Sequence, residues 1–191
     1  MRRRISKPAL AAVSLVLLAV VAAGLIAFQP WKAFTSTTID EALPTPAAAA
    51  VTAAPTAATP SAGGATPPSP SATAATPRDL GRGAFVSGEH ATTGQAHLVR
   101  LADGSTVLRL EGLATSEGPD VRVYLSTRPA AESKLDTLGP GAVELGRLKG
   151  NLGNQNYTVP AGTDLTHLRS AVIWCKRFSV GFGAADLTDP L

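Results

Sequence analysis

From Leu80 onward, turn residues cut the chain into apolar segments too short for helices, and this punctuation constrains the fold more than any other feature. Asp103-Gly104 is a strong hairpin signal between a predicted strand at 94–101 and another at 105–110. In the second of these, Thr106, Leu108 and Leu110 alternate against Val107 and Arg109, the period of a half-buried strand. Gly118-Pro119-Asp120 marks a turn. After it, Val121, Val123 and Leu125 point one way, and Arg122, Tyr124 and Ser126 the other. Further strands are expected at 84–87, 143–148 and 155–159, with turn-rich sequence at 149–154. Helical signals are limited to single turns near 130–135 and 163–168. The predicted fold is therefore all-β, an antiparallel sandwich or barrel-like domain, large enough to bury a core without disulfides.

The densest apolar run of this region is 171–182, which also reads as strand. It holds the chain's single cysteine, Cys175, beside Trp174. If 171–177 is one regular strand, Ile173, Cys175 and Arg177 share a face, with Trp174 and Lys176 opposite. Arg177 is then the cation nearest Cys175 along the chain, and a guanidinium beside a thiol favours the thiolate. Phe178, Val180 and Phe182 alternate as a core face, and extending that face backwards would bury Lys176 at high cost. A bulge or corner near Lys176-Arg177 is expected, and Lys176 becomes the stabilising cation if the strand turns there. A lone cysteine makes no intramolecular disulfide. Two readings stay open: a small buried hydrophobe, or a reactive or group-bearing thiol.

Other chemistry finds little support. The histidines are His90, His97 and His167, and none follows Cys175. The sole methionine is Met1, so the ligand pattern of a blue-copper site is missing and no metal is expected. One cysteine also rules out a c-type haem attachment motif. His90 belongs to a predicted loop, Ser87-Gly88-Glu89-His90, and is either a solvated side chain or a ligand. There is no nucleophile elbow, phosphate loop or zinc spacing, so nothing suggests a hydrolase. The net charge of +3 comes from Arg2, Arg3, Arg4, Lys7 and Lys32 against Asp40 and Glu41, while the region from Arg78 is balanced. No nucleic-acid partner is expected, because the β region carries no basic stripe.

The N-terminal part has a different texture. Residues 8–28 carry no charge and match a transmembrane helix of about 20 residues. The arginines before them predict a cytoplasmic N-terminus, and Trp31 suits the membrane interface. A cleaved signal peptide, with small residues at Ala22-Ala23-Gly24, is the rival reading, and both export the remainder. From Leu43 to Pro77 the chain is Ala, Pro, Thr, Ser and Gly with no charge, a composition that does not fold alone. It reads as a spacer holding the domain away from the membrane. The organisation expected is a basic tip and signal anchor at 1–30, a disordered linker at 31–79 and a monomeric β domain at 80–191. That makes a single-pass plasma-membrane protein, N-terminus in, with its domain extracytoplasmic.

Several segments together resemble the DM-thirteen (DM13) domain family. They are Gly83-Ala84-Phe85-Val86-Ser87 with His90 and Gly94, and Gly118-Pro119-Asp120 through Ser126. Leu145-Gly146-Arg147 through Pro160 and Ile173-Trp174-Cys175-Lys176-Arg177-Phe178 follow in the same order. The resemblance spans about 80–187 and implies a β-rich electron-transfer domain displayed at a membrane. It implies that the characteristic cysteine, here Cys175, works as a bare thiol or holds a prosthetic group such as haem. In that case His90 and Trp174 are the candidate cofactor contacts, with Arg177 and Lys176 as thiolate stabilisers. The expected partner is a redox protein or a cell-surface component. The alternative is a non-enzymatic binding or adhesion domain in which Cys175 only packs.

Overall fold

The computed structural model describes residues 7–29, 31, 35–44, 76–132 and 138–188. One helix, α1 (Lys7–Phe28), precedes nine strands. In chain order these are β1 (Thr38–Asp40), β2 (Arg78–Ser87), β3 (Thr93–Arg100), β4 (Thr106–Ala114) and β5 (Val121–Ser126). Then come β6 (Val143–Arg147), β7 (Leu152–Thr158), β8 (Ser170–Cys175) and β9 (Val180–Asp186). They form one sheet in the order β1-β7-β4-β3-β2-β9-β8-β5-β6, curled into a half-barrel. Every pairing is antiparallel except that of β1 with β7.

The curl turns on β2. Its stretch from Arg78 to Ala84 pairs with β3 and its last three residues with β9, so one strand joins both halves of the sheet. A bulge between Asp79 and Gly81 bends it. At Gly83 the neighbouring backbone comes so near that a Cβ would lie 1.9 Å from the Asp186 carbonyl oxygen. The concave face holds the main core, in which Leu98, Leu108, Leu110 and Leu113 meet Val121, Val123, Leu125, Ile173 and Phe182. The alternation read at Val121, Val123 and Leu125 is the alternation observed. The convex face carries two smaller clusters: Tyr124, Val172, Trp174 and Ala184, and Val99, Leu101 and Val107, the latter packed by Leu43.

Several local expectations are revised. The predicted strand through 177 stops at Cys175, and residues 176–179 form a hairpin turn in which Ser179 adopts a positive φ of 52°. This is the corner anticipated near Lys176-Arg177. Phe178 is therefore 48% exposed instead of core. Near residue 130 the helical signal becomes a 3-10 turn, Ala130–Glu132, and residues 133–135 lie outside the described residues.

The largest difference concerns residues 35–44, which composition assigns to the linker. Here they lie on the outer edge of β7. Thr38, Ile39 and Asp40 pair with Leu152, Gly153 and Asn154. Glu41 accepts hydrogen bonds from Lys149 Nζ at 2.7 Å and from the Asn156 backbone amide at 2.9 Å. Arg109 Nη1 donates to the Glu41 carbonyl at 2.9 Å. Glycine is required opposite this strap: a Cβ on Gly150 would lie 2.4 Å from the Thr37 carbonyl oxygen. The turn-rich sequence at 149–154 is thus the seat of a strand from the N-terminal side. Most of the uncharged Ala/Pro/Thr segment lies outside the described residues.

Candidate functional site

One end of the half-barrel gathers most of the segments that carry the family resemblance. The turn after β8 is held to the start of β5 by the Lys176 amide donating to the Asp120 carbonyl at 2.9 Å. The Leu148 amide donates to the Val121 carbonyl at 2.9 Å. The Gly88 and Glu89 amides donate to the Phe182 and Gly181 carbonyls at 2.8 and 2.9 Å. Thr92, fully inside, bonds both the Thr115 hydroxyl at 2.8 Å and the Phe182 carbonyl at 3.0 Å. Asn151 donates to the Thr115 carbonyl at 2.9 Å, which ties the loop before β7 to the same end.

A cleft of about 80 Å³ opens there, lined by Glu117, Gly118, Pro119, Val121, Arg147 and Leu148, with Gly150 and Asn151 beyond. Its rim is fixed from the N-terminal side. The hydroxyls of Thr35 and Thr37 each donate to Glu117 at 2.7 Å, and the Thr37 amide donates to Asn151 Oδ1 at 2.7 Å. Val121, a wall of the cleft, is the cross-strand partner of Cys175.

Cys175 is the last residue of β8, unbridged and 0% exposed, within the main core. Trp174 points to the opposite face, into the cluster with Tyr124. Arg177 lies in the exposed turn, not on the strand face of Cys175, so a regular strand does not carry it to the sulfur. Lys176 is also exposed, and its Nζ reaches Glu144 at 3.2 Å. His90 is half-buried and its ring lies on Phe182, with centroids 3.8 Å apart. Phe182 belongs to the same core cluster as Cys175. His90 thus packs on a ring of the core cluster that also holds Cys175, whereas Trp174 lies on the other face of the sheet.

The residues do not fit a haem at Cys175. Its sulfur is enclosed by core side chains, and the adjoining cleft is well below the roughly 300–1,000 Å³ of small-molecule and cofactor sites. Among the described residues, no group of three or more His, Cys, Asp or Glu side chains is arranged to hold a metal ion.

Sequence reasoning missed a charged network beside the turn. Arg122 donates to Asp120 at 2.9 Å and to Glu144, while Tyr124 donates to Glu144 at 2.7 Å. These contacts, led by the Tyr124 hydroxyl, hold Glu144 down at about 2. Burial and the same carboxylate push the Tyr124 hydroxyl up. The period-two series Asp120, Arg122, Tyr124 was the available signal, but its partner on β6, Glu144, lies twenty residues beyond the last of them. Lys176, expected beside a thiolate, instead completes this network. A second group, also joined across neighbouring strands, places His97 3.5 Å from Glu111 and 3.9 Å from Asp79 on the outer face of β2–β4.

The curled all-β sheet, with one thiol buried beside a cleft, is the setting in which the comparison with known proteins fits. A family model described as electron transfer DM13 matches residues 84–187. The chain belongs to that family. No curated protein and no solved structure matches it significantly.

Proposed function

We propose that this is a membrane-anchored, extracytoplasmic electron-transfer module whose redox group is the Cys175 thiol. The observation that carries the reading is the position of this thiol in an electron-transfer domain. It ends β8, one residue from an exposed turn and directly across from a wall of the cleft. The anchor is α1, whose stretch Ala11–Phe28 has a mean hydropathy of 2.7 and is long and apolar enough to cross a membrane or to serve as a signal sequence. The arginines before it favour a cytoplasmic N-terminus.

The chemistry that a bare thiol supports is exchange with a partner's disulfide. The Cys175 sulfur, as thiolate, attacks one partner sulfur. A new S–S bond forms, the partner's S–S bond breaks, and the second partner sulfur leaves as a thiolate that takes up a proton. A partner thiol reverses the step. Because Cys175 is fully buried, this exchange requires the 176–179 turn to lift, and the Lys176–Asp120 and Lys176–Glu144 bonds set how readily it does.

A second reading has one observation in its favour. Cys175 packs among core side chains, as a structural cysteine in a binding or adhesion domain would.

The test is alkylation of Cys175 in the folded protein across low denaturant concentrations, after an absorption spectrum of protein from its native host. The redox reading predicts a colourless protein whose Cys175 reacts through local opening, at a rate nearly independent of denaturant below the unfolding transition. Reaction only through global unfolding leaves the packing reading.

A further inference from the structure

We infer that the cleft end of the domain, led by the hairpin tip Lys176-Arg177-Phe178, docks on the anionic headgroup surface of the membrane that holds α1. The inference rests on the reading of α1 as a retained anchor.

Chain length gives the first reason. The helix ends at Phe28, and Thr35 is already bonded to Glu117 on the cleft rim. The seven residue steps between them reach at most about 25 Å fully extended. The uncharged Ala/Pro/Thr segment adds nothing to this reach, because it follows the strap and returns to β2. Far from being held away on a stalk, the cleft end is leashed to the bilayer.

Side chains give the second reason. The Phe178 ring stacks on that of Phe28, centroids 6.2 Å apart and planes 16° from parallel, which puts the hairpin tip at the end of the membrane helix. Phe178 is 48% exposed, and Lys176 and Arg177 before it are exposed cations. An exposed aromatic beside basic side chains suits the headgroup boundary: the ring sits at the acyl edge and the cations meet lipid phosphates. Trp31, 49% exposed between helix and strap, is a second interfacial aromatic. Asp120 beside the tip is paired with Arg122, and Glu144 with both Arg122 and Lys176, so Arg177 is the tip cation outside that network; of the other acids at this end, Glu117 accepts from Thr35 and Thr37 and Glu89 is exposed. Docking of this kind places Cys175, one residue from the tip, against the bilayer and selects a partner that moves in the membrane.

The experiment uses the full chain reconstituted in vesicles of phosphatidylglycerol with brominated acyl chains. The double variant Trp31→Phe/Phe178→Trp reports on the tip, with Trp31→Phe alone as background for buried Trp174. The introduced tryptophan is expected to be blue-shifted and quenched roughly twofold or more over background. Adding Lys176→Glu and Arg177→Glu, or inserting about 20 Gly/Ser residues after Ala33 to lengthen the leash, is expected to abolish most of that quenching. An anchored chain whose introduced tryptophan emits as in water, or is quenched equally with the long leash and reversed charges, overturns the docking alone. A chain that loses α1 and does not sediment with vesicles overturns the anchor, and the docking with it.

Discussion

The Ile39 carbonyl oxygen and Gly153 approach so closely that a Cβ on Gly153 would lie 2.0 Å from that oxygen. Gly153 also has a φ of 99°, so both the space and the backbone angle exclude side chains. Through this contact the N-terminal strap joins the sheet as its edge strand β1. Gly153→Val is expected to destabilise by about 2–4 kcal/mol, combining backbone strain with loss of the strap. Gly162→Ala is the control: its φ is 79° but nothing lies near its Cβ position, so about 1 kcal/mol of strain is expected. Chemical unfolding of the two variants measures the difference.

A related expectation concerns boundaries. A fragment beginning near Arg78 carries β2 to β9 but lacks the strap that covers Val99, Leu101 and Val107 through Leu43 and engages Glu117 and Lys149. It is expected to fold as a β domain and to be less stable, by about 2–4 kcal/mol, than one beginning at Thr35. Equal unfolding midpoints for the two fragments would show that the strap contributes nothing.

What could be read in advance followed local rules. The hairpin at Asp103-Gly104 and the faces of Val121, Val123 and Leu125 depend on neighbours in sequence, and both are as expected. The strap could not be read. Thr38–Asp40 is too short to show a period, and its parallel partner lies over a hundred residues away. Its only trace was the spacing of Gly150 and Gly153, which reads equally well as a turn. Val107 lies opposite Leu108 and Leu110 in the half-buried alternation of β4, yet it is 3% exposed, packed by Leu43 of the strap. At the site, Cys175, Lys176 and His90 were found as residues, but their relations were not. Arg177 left the strand face once the turn began at Lys176, and Glu144 entered from β6.

Glu144 gives a pH prediction. Its folded value of about 2 lies below the ordinary 4.5 because Tyr124, Arg122 and Lys176 all donate to the carboxylate. A depressed carboxylate contributes stability that is complete above its unfolded value and is lost as pH falls through the folded one. Glu144→Gln is expected to cost about 1–2 kcal/mol at neutral pH, partial exposure having weakened the pairs. The gap between the two proteins should narrow as pH falls from 4.5 toward 2. Denaturant titrations at several pH values test this, and a constant gap would refute it.

Topology is open to a direct check. The domain is expected outside the cytoplasm, so protease added to intact, wall-stripped cells should remove it. Complete protection would reverse the assigned orientation.

Replacement of Cys175 separates structure from function. Cys175→Ser buries an unpaired hydroxyl in the core and is expected to cost about 1–3 kcal/mol. Arg177→Ala, in the exposed turn, is expected to change stability by less than about 0.5 kcal/mol. Thermal or chemical unfolding of both variants checks the contrast.

The most direct test of the central claim is the redox state of Cys175 in living cells. Cells are quenched in acid, the protein is denatured, and free thiol is tagged by mass before and after reduction. The account predicts a fraction of Cys175 held as a reducible disulfide that rises when the growth medium is made oxidising and falls when it is made reducing. It also predicts a mixed-disulfide species that disappears in Cys175→Ser. A thiol that stays fully reduced in both media would contradict the account and leave Cys175 as packing.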